Sequence, residues 1–221
     1  MTMVDAIAGL VSPWKVALER WHADRRLERL RRKGMHVGED VYFPDSTVID
    51  EEYCHLIWIS DSCSFGDGVM LLAHERQAHL GARVTRVGTV HLHRSCHLGA
   101  RTLVLPGVAI GPRTIVAANS VVRSALPPDT VCAGNPARPF SSLARYLDAH
   151  RARLMAAPTF TFLGEESPER RNEIIAATRA GDAYLVGGRS AELAGTGGSR
   201  RTPTLHHSPV PPEARPPKQV R

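Results

Sequence analysis

Aliphatic residues recur at every sixth position through the middle of the chain: Leu92, Leu98, Val104, Ile110, Val116 and Val122 are in phase. Gly99, Leu105, Gly111 and Ala117 directly follow four of them, and Cys96, Thr102, Val108, Thr114 and Ser120 stand four positions after five of them. Two shorter trains lie upstream, Val37–Phe43–Ile49 and Ile59–Phe65–Leu71. Between them the phase slips by four residues, through Tyr53 to Trp58. It breaks again between Leu71 and Leu92, which are 21 positions apart where 18 would keep step. A period of six is neither the 3.6 of a helix nor the 2 of an alternating strand. It fits a three-sided solenoid in which each sextet supplies one short strand and one corner, with coils stacked at a strand spacing of about 4.8 Å. The aliphatic residue then points inward, and the small residue four places later fits the inside of the corner. Gly38, Gly66, Gly68, Gly99, Gly107 and Gly111 fall where the backbone turns or coils crowd. Each buried Val, Ile or Leu contributes roughly 1.5–3 kcal/mol, so a stacked set of them forms a core with no aromatic centre.

The flanks read differently. Pro13 to Lys33 carries Trp14, Leu18 and Trp21 on one helical face and a basic run from Arg25, with Gly34 as the stop. This predicts an amphipathic helix packed on the first coil. A helix lying on a membrane surface is the second reading. After the repeat, Pro127-Pro128 ends the pattern and a helix is expected from Ser141 to about Leu154. A second helix is expected with Ser167 as N-cap, Pro168 at its first position and Gly181 beyond its end. The organisation expected is a helical segment over 1–36, the solenoid over 37–138, a helical extension over 139–194 and a disordered, basic, Pro-rich tail over 195–221.

Composition adds exclusions. The chain has 221 residues, enough for one substantial core, and only 5% are aromatic, as a solenoid of aliphatics requires. The net charge of +6 suggests nucleic acid until it is located. Residues 13–36 hold eight basic and three acidic side chains and 195–221 hold five and one, so the middle of the chain is slightly acidic and a nucleic-acid partner is not expected. Met1 to Val11 carries Asp5 and no basic cluster before its apolar residues, unlike a secretory signal, and no apolar run reaches the length of a membrane span. A cytoplasmic location is expected, with peripheral contact at the inner membrane face as the second reading. Cys54, Cys63, Cys96 and Cys132 form no CxxC pair and read as free buried thiols.

Several segments together resemble the hexapeptide-repeat acyltransferases, in particular the sugar O-acetyltransferase branch with the maltose and galactoside acetyltransferases. They are Ile59 to Gly66, Leu71-Leu72-Ala73-His74-Glu75, the loop through Leu80-Gly81 to Val87-Gly88, Leu103 to Gly111, Ala118 to Val122 and Ala133-Gly134-Asn135-Pro136-Ala137-Arg138. The resemblance implies a mostly β fold, a left-handed parallel β-helix of hexapeptide repeats, with an N-terminal helix and C-terminal helices. It further implies a homotrimer with active sites between subunits and acetyl-CoA as co-substrate. In that family a histidine opening an excursion from the repeat is the general base, and His74 stands at that break. An imidazole suits the task, because acyl transfer from a thioester to a hydroxyl needs a proton removed during attack. Glu75 is a candidate to orient it. For CoA, Ala100, Ala117 and Ala118 leave room for the pantetheine arm, and Arg123 and Arg138 are the phosphate candidates. The family commonly has lysine where this chain has Ser124, so Arg123 stands one position early. The activity implied is O-acetylation of a sugar or glycan precursor, with N-acetylation of an amino sugar as the alternative.

The remaining histidines offer a rival. His74 and His79 have the spacing seen in zinc carbonic anhydrases of the same fold, with His36 or His55 as the third ligand. His91, His93 and His97 flank inward leucines and are expected to face outward. No metal is expected. A solenoid scaffold without activity is the reading from another class, and His74 speaks against it.

Overall fold

The computed structural model describes residues 25–41, 44–161, 167–179 and 181–186. Trp14, Leu18, Trp21, Phe43 and the tail over 195–221 lie outside the described residues. The chain divides into two compact units, residues 1–155 and 156–221.

In the first unit the chain is helical over residues 25–32 (α1) and turns at Gly34, whose φ of +94° is open to glycine. Short strands follow: β1 (His36–Val37), β2 (Val48–Ile49), β3 (Ile57–Ile59), β4 (Ser64–Phe65) and β5 (Met70–Leu71). An excursion then holds β6 (His74–Glu75), α2 (His79–Ala82) and β7 (Arg86–Val87). The strands resume as β8 (Val90–Leu92), β9 (His97–Leu98), β10 (Leu103–Val104), β11 (Ala109–Ile110), β12 (Ile115–Val116), β13 (Val121–Val122) and β14 (Thr130–Gly134). They sort into three sheets, β1-β3-β8-β11, β2-β5-β10-β13 and β4-β9-β12-β14, with every one of these neighbouring pairs parallel. From β3 to β13 the strands of the coil visit the three sheets in turn, so the chain winds through three faces, as the period of six requires.

The register places each aliphatic position on its equivalent one coil away: Ile59 on Leu92 on Ile110, Phe65 on Leu98 on Val116, and Ile49 on Leu71 on Val104 on Val122. All of these are buried. The residues four places on, Cys63, Val69, Cys96, Thr102, Val108, Thr114 and Ser120, are buried as well. Their polar atoms find carbonyls at the corners. The Cys63 thiol donates to the His93 carbonyl at 3.2 Å, Cys96 to Gly111 at 3.1 Å and the Thr114 hydroxyl to Pro127 at 2.7 Å. Cys, Cys and Thr are therefore equivalent residues on successive coils, each donating to the coil that follows. All four cysteines are free and buried.

Three positions after many of the inward residues the backbone enters the left-handed region. Ser62, Ser95, Arg101, Arg113, Asn119 and Asp129 do so with φ between 54° and 60°, and Gly68 and Gly107 with φ of 70° and 82°. The corner over-determines a conformation that costs a non-glycine residue about 1 kcal/mol or more. Gly99 serves a different need, because a Cβ there would lie 2.4 Å from the backbone nitrogen of Ala118. The neighbour is backbone in a packed coil and has no room to yield. Gly99→Ala is expected to destabilise the protein by about 1–3 kcal/mol, read as a lower urea midpoint at unchanged m value.

β14 continues into β15 (Ala137–Ser142), paired antiparallel with it across a cis Asn135–Pro136 peptide. The sheet thus runs past Arg138, and the helix α3 (Leu143–Ala156) begins only after it. The second unit holds β16 (Thr159–Thr161) parallel to β17 (Tyr184–Val186), and α4 (Pro168–Thr178). The Ser167 side chain caps α4 by accepting from the Arg170 N–H, and Pro168 occupies its first turn. No helix among the described residues is long and apolar enough to cross a membrane.

The basic run of α1 is turned in part onto the coil. Arg26 donates to the carbonyls of Asp45 and Thr47, Arg31 to that of Val37, and Arg29 and Lys33 pair with Glu51 at 2.7 and 3.1 Å. Lys33, with Arg29 and Arg26 nearby, holds the Glu51 carboxyl below its usual range.

Candidate active site

The excursion leaves the coil after β5 and returns at β8. Leu71 and Leu92 occupy successive faces, six positions apart in an unbroken repeat, so their separation of 21 means that fifteen residues are inserted rather than three. β6 and β7 form its antiparallel stem, with His74 opposite Val87 and Glu75 opposite Arg86. The inserted residues hold no buried side chain.

His74 sits at the root of this stem, its side chain 28% exposed against 3% for its partner Asp50. Asp50 directly follows the inward Ile49, one coil earlier. Its Oδ2 accepts from the backbone N–H groups of Ala73 and His74, both at 3.0 Å, and from His74 Nδ1 at 2.5 Å. Its Oδ1 accepts from the Tyr53 N–H at 3.4 Å. An ionised carboxylate only accepts, so Nδ1 of the neutral imidazole carries the proton and Nε2 presents its lone pair. The Tyr53 ring lies 4.9 Å from the imidazole, centroid to centroid, tilted by 45°. Tyr53 begins the four-residue slip between the two upstream trains, so that irregularity places a ring against the histidine. The arrangement is an imidazole whose rotamer and tautomer are both set by a buried acid.

Glu75 is not the residue that orients the imidazole. It points to Arg86, 3.3 Å away on the paired strand, because neighbouring residues of an extended segment face opposite sides. Asp50 and Tyr53 escape a reading by sequence position, standing 24 and 21 residues from His74. The available signal is an acid immediately after an inward aliphatic at the start of a phase slip.

The residues expected to hold CoA fall in two groups. Ala100, Ala117 and Ala118 share one corner, where Gly99 and Ala118 make the close backbone approach described above. Arg123 is exposed after β13, and Arg138 on β15 donates to the hydroxyl of Ser124 at 3.2 Å and to the Ala137 carbonyl at 3.1 Å. Arg123 stands in register three strands from Asp50, a distance of about 14 Å at the sheet spacing.

The other histidines have other occupations. Rings of His36, Trp58 and His91 stack along one outward sheet face, 5.1 and 4.7 Å apart and within 5° of parallel. Burial, with His93 and His36 nearby, pushes the His91 imidazole below its ordinary range. His97 Nδ1 lies 2.9 Å from the Ser64 hydroxyl. His79 opens α2. Among the described residues no three His, Cys, Asp or Glu side chains form a group able to hold a metal ion.

No protein-family model matches the chain. It is 31% identical over 104 residues, 47% of its own length and 58% of the relative's, to the protein named "Putative acetyltransferase YvoF" of Bacillus subtilis. It is 54% identical over 41 residues, 19% of its length and 21% of the relative's, to Escherichia coli WbbJ, named "Putative lipopolysaccharide biosynthesis O-acetyl transferase". The chain thus spans about half the length of the first of these relatives and a fifth of the second. A galactoside acetyltransferase solved in complex with coenzyme A aligns with 50% of this chain and 56% of its own, at 24% identity and a TM-score of 0.45. Both relatives are named as "putative" acetyltransferases, in line with the hexapeptide-repeat acyltransferases that the six-residue pattern resembles.

Proposed function

We propose that this chain is an acetyl-CoA-dependent O-acetyltransferase acting on a hydroxyl of a sugar or glycan precursor, with His74 as general base. The observation that carries the reading is the Asp50–His74 pair at the root of the excursion. It supplies an imidazole whose Nε2 has no hydrogen-bond partner among the described residues, held at the edge of the coil. The acceptor hydroxyl gives its proton to Nε2 as its oxygen attacks the thioester carbonyl. The C–S bond then breaks, and the leaving sulfur takes the proton back from the imidazolium. The enzyme forms no covalent bond in this scheme, so no nucleophilic side chain beside His74 is required. The similarity to WbbJ, by its name an O-acetyl transferase of lipopolysaccharide biosynthesis, supports a glycan hydroxyl as acceptor. The resemblance adds a left-handed winding and a homotrimer with sites between neighbouring solenoids. Acetyl-CoA would lie along the later coils, past Ala100, Ala117 and Ala118, with Arg123 and Arg138 toward its phosphates. The domain organisation proposed keeps the solenoid as the catalytic part and the flanks as appendages.

The test is a screen of sugars, amino sugars and serine with acetyl-CoA, reading free CoA. Release with hydroxyl-only sugars is expected. Release confined to amino sugars moves the reaction to N-acetylation. Carbon dioxide hydration by metal-containing protein, with no acetyl transfer, overturns the reading.

A further inference from the structure

We infer that Arg86 is a positioning residue for the catalytic imidazole, clamping the excursion to the following coil so that its stem holds His74 in place. This rests on the reading of His74 as the base. Within its own chain the excursion contributes no buried side chain from residue 74 to 89, so polar anchors rather than core packing hold it to the coil. Beside the bonds of Asp50 to Ala73 and His74, two further anchors lie at its root. The Gly88 N–H donates to the Ala73 carbonyl at 2.9 Å, closing the stem beside His74. The Arg86 guanidinium spans further. One nitrogen donates to Glu75 Oε1 across the stem at 3.3 Å, and the other donates to the Pro106 carbonyl at 2.9 Å. Pro106 lies just beyond β10, the strand stacked on β5, from which the excursion departs. Arg86 therefore joins both strands of the stem to the coil that follows. Gly107 makes room for the clamp: a Cβ there would sit 3.2 Å from the guanidinium nitrogen that donates to Pro106. Glu75 acquires a role in this arrangement as the second end of the bridge, on the residue next to the base. A planar fork with fixed donors suits two acceptors at once, whereas a lysine ammonium reaches them less well.

The experiment compares wild type, Arg86→Ala and Arg86→Lys in the full chain, with two readouts. The first is the proton NMR signal of the His74 Nδ1–H in histidine-labelled protein, assigned by its loss in His74→Gln and measured without any acceptor. The second is kcat and KM for acetyl-CoA with whichever acceptor releases CoA in the screen. The R86A variant is expected to weaken or lose the Nδ1–H signal through faster exchange with water. It is also expected to lower kcat by about tenfold or more, with KM for acetyl-CoA changed less than about twofold, since misplacing a base by about 1 Å has effects of this order or larger. R86K is expected to recover part of both. An R86A protein with wild-type signal and kcat overturns the inference. If R86A does not fold, Glu75→Ala, which cuts the bridge at its other end, is judged by the same two readouts. A variant that loses the signal in an enzyme whose His74→Ala form remains fully active upholds the clamp and refutes His74 as the base, so the two failures are distinguishable.

Discussion

Replacing His74 by alanine is expected to lower kcat for acetyl transfer by about 10²–10⁴-fold, the range that a positioned general base supplies. The fold should hardly notice. Asp50 keeps its two backbone donors from Ala73 and residue 74, and the deleted ring is partly exposed at the edge of the coil. Steady-state release of CoA and a thermal unfolding curve check the two halves of this expectation. The combination is informative because His74 occupies the break in the repeat that, among the described residues, carries a stem. A variant with unchanged kcat removes the base from the mechanism, whatever the chain's relatives do.

Changing Asp50 is expected to have the second largest effect, and the substitution chosen separates chemistry from stability. Asp50→Asn keeps the shape. Oδ2 alone serves both backbone donors and Nδ1, so the amide oxygen takes its place and the NH₂ group falls at the position of Oδ1, facing the Tyr53 N–H. The negative charge that stabilises the imidazolium formed during proton transfer is then lost. A loss in kcat of about 10²–10⁴-fold is the expected result. Asp50→Ala adds a structural cost. It leaves the Ala73 and His74 N–H groups without their acceptor at a buried position, at roughly 1–3 kcal/mol for each donor left unsatisfied. D50A should therefore lower both kcat and the urea midpoint, whereas D50N lowers kcat far more than it lowers stability. Equal stability losses in the two variants would contradict the geometry described for Oδ2.

Much of the coil was legible from spacing alone. Ile59, Leu71, Leu92, Val104 and Ile110 are inward because a period of six returns each to the same side of a three-sided winding, and the structure stacks them in that register. The buried residues four places on were legible for the same reason. Their bonding was not: Cys63, Cys96 and Thr114 look chemically unlike, yet each sends one donor to the equivalent carbonyl of the next coil. The left-handed corners three places after many of the inward residues are not legible in the spacing, since Ser, Arg, Asn and Asp there carry no glycine signature. At the site, the break in phase marked His74. The carboxylate beside it had to be sought across coils, so Glu75, its neighbour in sequence, stood in for Asp50, its neighbour in space.

Amino-acid order by itself determined which side chains are buried, how many faces the winding has and where it is interrupted, because burial repeats with the period of the backbone and leaves a trace at every turn of the coil. Only tertiary structure decided which outward groups meet. Asp50 reaches His74, and Arg86 reaches Pro106, because the lengths of two interruptions set which outward positions come together. Polar contacts of that kind recur with no period, so no spacing along the chain records them.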